Sequence, residues 1–189
     1  MSIRVFPVQG GAVIPNDFSF VDTANLRKHL GNDLFAPTGT PLLAVDNGTV
    51  QYGTDPLGGN VVNLISDPAP GGTGSTRYYY AHLSRFEGSN RRVRAGEIIG
   101  YIGTTGNAQG TRPHTHFEVH PAVGGASPWI APAVNPFTEL QSALARSRAP
   151  VSVASTFPWR IVAGIGLATA TVWALLNYRA APVLQRRRV

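Results

Sequence analysis

Histidines and one nearby carboxylate are the residues whose types and spacing could carry out chemistry. The five histidines are His29, His82, His114, His116 and His120. His114 and His116 lie two positions apart in the alternating segment HTHFEV, so in a β-strand both imidazoles project from one face and Thr115 from the other. His120 has the same parity and follows Glu118 by two positions. Such a row indicates either a metal-binding or catalytic site or an ordinary solvated polar face.

The other two histidines have weaker local settings. His29 precedes Asp33 by four positions, a spacing that would place both residues on one face of a helix. Gly31 and Pro37 disfavour a helix here, so a loop that enters a strand is the expected way to bring the two groups together. His82 ends an aromatic run at 78–80 and, taken alone, is more typical of a half-buried strand residue than of a catalytic group.

Considered together, these residues suit hydrolysis assisted by a metal ion. Two histidines and one carboxylate can hold a tetrahedral zinc and leave a position for water, whose pKa zinc lowers to about 7. The remaining histidines could move protons or stabilise an oxyanion near neutral pH. A non-haem iron site uses the same donor set and stays open at this point, although the spacing fits it less well. The chain has no cysteine, which excludes thiolate metal sites and a cysteine nucleophile.

Short β-strands must position these residues, because residues 1–143 are rich in glycine and proline and carry only short apolar runs. The segments predicted as strands are 40–45, 48–52, 60–65, 76–83, 97–103 and 114–120. Asn47-Gly48 predicts a turn between the first two, and segment 67–75 predicts a hairpin connection. A short helix over 136–146 is predicted to close the domain. The predicted fold class is therefore mostly β.

Several short motifs follow one another in a characteristic order and spacing. In chain order they are His29-Leu30-Gly31-Asn32-Asp33, Ala36-Pro37-Thr38-Gly39-Thr40-Pro41, Gly58-Gly59-Asn60-Val61-Val62, Tyr80-Ala81-His82-Leu83, Ile99-Gly100-Tyr101-Ile102-Gly103 and Pro113-His114-Thr115-His116-Phe117-Glu118. Together they resemble the lysostaphin-type (LytM-like) zinc metalloendopeptidases, which cut peptide cross-links of bacterial peptidoglycan. The resemblance runs from about Phe6 to Leu140.

The resemblance implies a twisted antiparallel β-sheet peptidase domain with its site in a groove on one face. It implies that His29, Asp33 and His116 bind zinc. It also implies that His114 is the general base or orients water, and that His82 stabilises the developing oxyanion. All five positions are filled, which favours an active enzyme. A non-catalytic module that binds the cell wall or activates a hydrolase is the alternative.

Two residues depart from the family pattern. Thr115 stands where leucine is usual, and because it points away from the histidines we expect it to affect packing rather than chemistry. Asn32 stands where an apolar residue is common. The loops at 67–75 and 104–112 are expected to line the groove and to decide which cross-link is cut.

Of the net charge of +6, the C-terminal part of the chain contributes +5. Residues 1–150 contain 11 basic and 10 acidic residues, whereas residues 151–189 contain five arginines and no acid. A nearly neutral body argues against a nucleic-acid-binding face, except for the arginine-rich end. Residues 161–178 are apolar with arginine at either end, which predicts a transmembrane helix over 159–179 rather than a buried core helix. The predicted organisation is a peptidase domain over 1–143, a linker over 144–158, this helix and a basic tail over 180–189.

The predicted transmembrane helix suggests where the protein acts. Small residues at Gly166, Ala170 and Ala174 are typical of a face that packs against other membrane helices. Four arginines follow the apolar run over 161–178 and three precede it, which predicts by the positive-inside tendency that the peptidase domain lies outside the cytoplasm. The N-terminal segment lacks the apolar core of a secretory signal. A C-terminal anchor would suit the viral membrane of a bacteriophage virion, and a bacterial cell envelope is the alternative.

Overall fold

The computed structural model describes residues 3–22, 27–69, 71–72, 74–122 and 126–149. The predicted transmembrane helix over 159–179, the basic tail and most of the predicted linker lie outside these residues. Within the described part of the chain, no helix is long and apolar enough to cross a membrane.

Antiparallel β-strands are the main regular secondary structure of the described residues, so the predicted mostly-β class is confirmed. In chain order the elements are β1 (Val21–Asp22), β2 (Arg27–Lys28), β3 (Asn32–Phe35), β4 (Pro41–Leu43), β5 (Gly48–Asp55), β6 (Gly59–Ser66), β7 (Thr76–Tyr80), β8 (Leu83–Phe86), β9 (Arg91–Val93), β10 (Ile98–Ile102), a 3₁₀ helix (Gly106–Ala108), β11 (His114–Pro121) and α1 (Phe137–Arg148). The larger sheet has the strand order β3-β11-β7-β6-β5-β9 and the smaller one the order β4-β10-β8. Strands β1 and β2 form a separate pair.

The turn at Asn47-Gly48 connects two different sheets rather than two paired strands. β4 pairs with β10, whereas β5 pairs with β6 and β9. Asn47 Oδ1 accepts a hydrogen bond from Ala95 N at 2.9 Å, which fixes the crossing point. A side chain at position 48 would collide with the carbonyl of Ile65, so only glycine fits this close approach. Local turn chemistry predicted the bend, but the pairing partners were decided by packing between distant segments.

The hydrophobic core draws residues from both larger sheets and from α1. Tyr80 of β7 is completely buried and connects the sheets directly. Its hydroxyl donates to Leu43 O at 3.0 Å and accepts from Val45 N at 3.2 Å. A buried hydroxyl needs such partners because burial without them is costly. The strand that leads to His82 is therefore held against the smaller sheet.

Helix α1 closes the core, as the sequence predicts. Leu140 and Ala143 are buried, and Leu144 packs against the same cluster. Arg146 Nη2 donates to Ile3 O at 2.6 Å, which joins the helix to the start of the described chain. The helix ends two residues beyond the predicted end at 146, and it includes residues 144–148 of the predicted linker. Leu144 continues the apolar helical spacing from Leu140 and packs on the core, whereas residues 145–149 are exposed.

Candidate active site

Strand β11 separates the core from an open groove. Thr115 and Phe117 are completely buried on one face. The alternate residues His114, His116 and Glu118 line a groove of about 670 Å³ on the other face. This arrangement follows from the two-residue period of a strand and agrees with the alternation expected from the sequence.

Pairing of β3 with β11 brings the predicted metal ligands together. Asp33 lies directly opposite His116 in the register of these strands. The Oδ1 atom of Asp33 is 3.1 Å from His116 Nδ1 and 3.1 Å from His29 Nε2. The two ring nitrogens are 2.9 Å apart. Residues 29–33 are not helical, and a loop entering β3 places His29 beside Asp33 as expected.

The outer nitrogens of the two histidines in this cluster face hydrogen-bond acceptors. His29 Nδ1 lies 3.0 Å from Asp17 O, and His116 Nε2 lies 3.0 Å from Glu118 Oε1. Neither a carbonyl nor a carboxylate can donate, so each outer nitrogen must be the N–H donor. The inner nitrogens are left with lone pairs, which converge with Asp33 Oδ1. Three converging acceptors suit a cation.

The size and chemistry of this cluster fit zinc. Histidine nitrogens and a carboxylate oxygen are zinc ligands at about 2.0–2.2 Å, and tetrahedral angles then separate the ligand atoms by about 3.3 Å. The observed separations of 2.9–3.1 Å are only slightly shorter. Among the described residues, His29, Asp33 and His116 form the group whose ligand atoms could hold one ion.

Electrostatics also favours positive charge at the cluster. Burial alone would raise the pKa of Asp33, but hydrogen bonds from His116 and His29 hold it well below its usual range, so the carboxylate is ionised. Burial would lower the pKa of His116, yet the carboxylates of Asp33 and Glu118 raise it to about 9. The same competition between burial and Asp33 leaves the pKa of His29 raised. A proton or a metal ion is therefore stabilised between these residues.

The other two predicted site residues lie beside the cluster. The rings of His82 and His114 are 4.9 Å apart between centroids. Their Nδ1 atoms donate to backbone carbonyls, His82 to Thr105 O at 2.9 Å and His114 to Arg112 O at 2.7 Å. In this tautomer each ring keeps the lone pair of its Nε2 atom available. His114 Nε2 is 3.8 Å from Asp33 Oδ2, next to the metal-binding atoms.

His82 has a strained backbone that re-aims its side chain. The predicted strand 76–83 is interrupted here, because His82 has a φ of 66°, in the left-handed region that non-glycine residues rarely occupy. Its backbone N–H donates to Gly58 O at 2.7 Å, which holds the conformation. Burial, and then the neighbouring His114, lower the pKa of His82 to about 4. The ring is thus neutral near pH 7 and can accept a proton.

Sequence reasoning missed the atoms that orient these histidines. Glu118 shares the parity of His114 and His116, so the alternation could have indicated it. The carbonyls of Asp17, Thr105 and Arg112 have no residue-type signal, because every residue carries one.

The two residues that depart from the family pattern are buried, and their hydrogen bonds hold the segments next to the site histidines. Thr115 points away from the histidines, as expected, and its hydroxyl also donates to Ala81 O at 3.0 Å, next to His82. Asn32 is completely buried, and its amide donates to Asp17 Oδ1 at 2.8 Å and to Pro15 O at 3.1 Å. It thereby holds the segment whose carbonyl orients His29.

Comparison with known proteins assigns the fold and site to a family. Residues 27–128 match the family described as Peptidase family M23. The chain belongs to peptidase family M23. The match contains all five site residues, and the predicted resemblance to lysostaphin-type metalloendopeptidases is confirmed.

Several relatives share this M23 region. Glycyl-glycine endopeptidase ALE-1 of Staphylococcus capitis is 41% identical over 97 residues, which are 50% of this chain and 25% of that protein. DD-carboxypeptidase/endopeptidase Mpg of Neisseria meningitidis serogroup B is 38% identical over 93 residues, 49% of this chain and 20% of that protein. This M23 chain thus spans a quarter or less of the length of these relatives. The solved catalytic domain of the antimicrobial peptidase lysostaphin from Staphylococcus simulans is similar with a TM-score of 0.55 and 29% identity, covering 69% of this chain and 92% of that domain.

Proposed function

We propose that this M23 chain is a zinc-dependent endopeptidase that hydrolyses peptide cross-links of bacterial peptidoglycan. The observation that carries the proposal is the convergence of three metal-binding atoms within 3.1 Å of one another, beside two histidines with free Nε2 atoms. Relatives named as a glycyl-glycine endopeptidase and a DD-carboxypeptidase/endopeptidase support hydrolysis of peptide bonds. The resemblance to lysostaphin-type enzymes supports peptidoglycan cross-links as the substrate.

His29, Asp33 and His116 would hold the zinc ion, which when bound supplies a Lewis acid for the peptide carbonyl and acidifies a water molecule. We assign His114 as the general base. Its Nδ1–H is committed to Arg112 O, so its Nε2 accepts the proton of the attacking water. The Nε2 atom also lies beside Asp33, next to the metal-binding cluster.

His82 is assigned to the developing negative charge of the substrate. With its Nδ1–H donated to Thr105 O, its Nε2 can donate only after the ring takes up a proton. Negative charge on the substrate oxygen would raise the low pKa of this buried ring and favour that uptake. His82 would then stabilise the oxyanion at the point of the reaction where it forms.

Digestion of purified cell walls tests the proposal. The full-length chain in detergent, with one equivalent of zinc, is incubated with peptidoglycan, and mass spectrometry identifies the released fragments. We expect peptide cleavage by the wild type and by the surface control Glu97→Gln, and none by His114→Ala or His116→Ala. Wall binding without release by the zinc-loaded wild type would favour the non-catalytic alternative. Release by His114→Ala at the wild-type rate would refute the assigned base.

We also propose that residues 159–179 anchor the enzyme in a membrane, either that of a bacteriophage virion or a bacterial envelope. The apolar run flanked by arginines supports this location, and the small residues on one of its faces support packing with other membrane helices. Protease treatment of intact particles or cells tests the orientation. We expect the peptidase domain to be digested and the arginine-rich end to be protected, and the opposite pattern would refute it.

A further inference from the structure

A row of hydrogen bonds extends from the metal-binding cluster along β11. Beyond His116, the second carboxylate oxygen of Glu118 lies 2.7 Å from His120 Nε2. His120 Nδ1 in turn lies 2.8 Å from Ala131 O, in the segment that precedes α1. The three side chains share one face of β11 because they occupy alternate positions.

The row is shielded from water and has little freedom to rearrange. His120 is only 6% exposed, and the side chain of Glu118 is 15% exposed. The two carboxylate oxygens of Glu118 each lie against an imidazole nitrogen, Oε1 at 3.0 Å from His116 Nε2 and Oε2 at 2.7 Å from His120 Nε2. Rotation of the carboxylate would break one of these two contacts.

The metal-binding geometry requires a particular orientation of the His116 ring. Its Nδ1 atom, rather than Nε2, faces His29 and Asp33. Rotation of the ring by half a turn would exchange Nδ1 with a carbon atom and remove the ligand from the cluster. The contact between Nε2 and Glu118 Oε1 selects the orientation that presents a lone pair to the metal.

We propose that Glu118 and His120 are positioning residues for the zinc ligand His116. Glu118 holds the ring by its Nε2–H, and His120, anchored to Ala131 O, holds Glu118. The inference rests on the proposed function in one respect, namely that the cluster binds zinc. It adds two residues outside the ligand set that determine how tightly the ion is held.

Zinc affinity of the full-length chain, measured by competition with a chromogenic chelator, tests this role. We expect Glu118→Ala to bind zinc about 10–100-fold more weakly than the wild type, the usual effect of losing such support. Glu118→Gln keeps an oxygen that can accept from His116 Nε2–H, so we expect it to recover most of the affinity. His120→Ala should cause a smaller loss. The matched control is Glu97→Gln, which alters an exposed carboxylate away from the groove and should leave zinc affinity unchanged.

A spectroscopic measurement separates positioning from a merely structural role. In the cobalt-substituted protein, Glu118→Ala should change the visible absorption of the metal, whereas Glu118→Gln should resemble the wild type. Zinc affinity of Glu118→Ala within about twofold of the wild type would overturn the inference, since ring support is worth more than this. If Glu118→Ala does not fold, His120→Ala decides in the same way, because unchanged affinity there means that His120 does not hold the site. A wild type that binds no zinc would instead refute the proposed function.

Discussion

Replacement of the buried Asn32 would test how the chain holds the carbonyl that orients His29. The Asn32 amide donates to Asp17 Oδ1 at 2.8 Å and to Pro15 O at 3.1 Å. The carbonyl of Asp17 then accepts from His29 Nδ1 at 3.0 Å. Asn32 is therefore two hydrogen bonds away from the proposed zinc ion, although it lies outside the groove.

The two contacts set the expected loss of stability. A hydrogen bond to a carboxylate contributes about 1.5–3 kcal/mol and one to a neutral carbonyl about 1 kcal/mol. Asn32 Oδ1 is buried and has no hydrogen-bond partner among the described residues, so its removal offsets about 1 kcal/mol of this loss. Asn32→Ala should therefore lower the free energy of unfolding by about 2 kcal/mol. Asn32→Leu adds about 1.5–3 kcal/mol of apolar burial and should be nearly as stable as the wild type.

The two variants should differ in stability but not in their effect on zinc. Neither holds Asp17, so we expect both to bind zinc several-fold more weakly than the wild type. Urea unfolding of the metal-free protein and chelator competition measure the two quantities. The control is Asn90→Ala, which removes one exposed contact, to Tyr52 N at 2.8 Å, and should leave zinc affinity unchanged. Wild-type zinc affinity in Asn32→Leu would refute the idea that this network supports His29.

Three further predictions follow from the described contacts. Tyr80→Phe leaves Leu43 O and Val45 N without their hydrogen-bond partner. The free energy of unfolding, measured by urea titration, should therefore fall by about 2–3 kcal/mol. An unchanged urea midpoint would contradict a stabilising role for this hydroxyl between the sheets. At free zinc 100-fold above its Kd, binding should add about 2.7 kcal/mol to the free energy of unfolding. Removal of zinc by a chelator should therefore lower the calorimetric melting temperature by roughly 5–10 °C. An equal decrease in the His116→Ala variant would show that the ion binds elsewhere. The folded-state pKa of His82 is about 4, below the unfolded value near 6.5, so between these pH values the unfolded chain binds more protons and stability falls as the pH falls. In the metal-free His82→Gln variant, the free energy of unfolding measured in urea should decrease less between pH 6.5 and 4 than in the wild type. An equal decrease in both proteins would argue against a neutral buried ring.

The strand pattern explains why much of the site could be predicted locally. Alternation in β11 places His114 and His116 on one face without any knowledge of the rest of the fold. The same period buries Thr115, which is why this departure could be assigned to the opposite face. Local signals likewise indicate the helix over Phe137–Arg148, apart from its last two residues.

Other parts of the site depend on pairings that no local pattern specifies. His29 and His116 are 87 positions apart and meet only because β3 pairs with β11 in a register that sets Asp33 opposite His116. The left-handed backbone of His82 interrupts a segment whose sequence predicts one continuous strand. This conformation is costly, and the hydrogen bond to Gly58 O that offsets its cost forms only in the folded protein.

The sequence by itself determined which residue types are available for chemistry and which face of a strand they share, because both follow from side-chain identity and the two-residue period. The tertiary structure decided which nitrogen of each histidine faces the groove. That choice depends on backbone carbonyls at Asp17, Thr105 and Arg112 and on the carboxylate of Glu118, which become partners only when distant segments pack together. A carbonyl has the same chemistry at every position, so its role could be recognised only from its place in the fold.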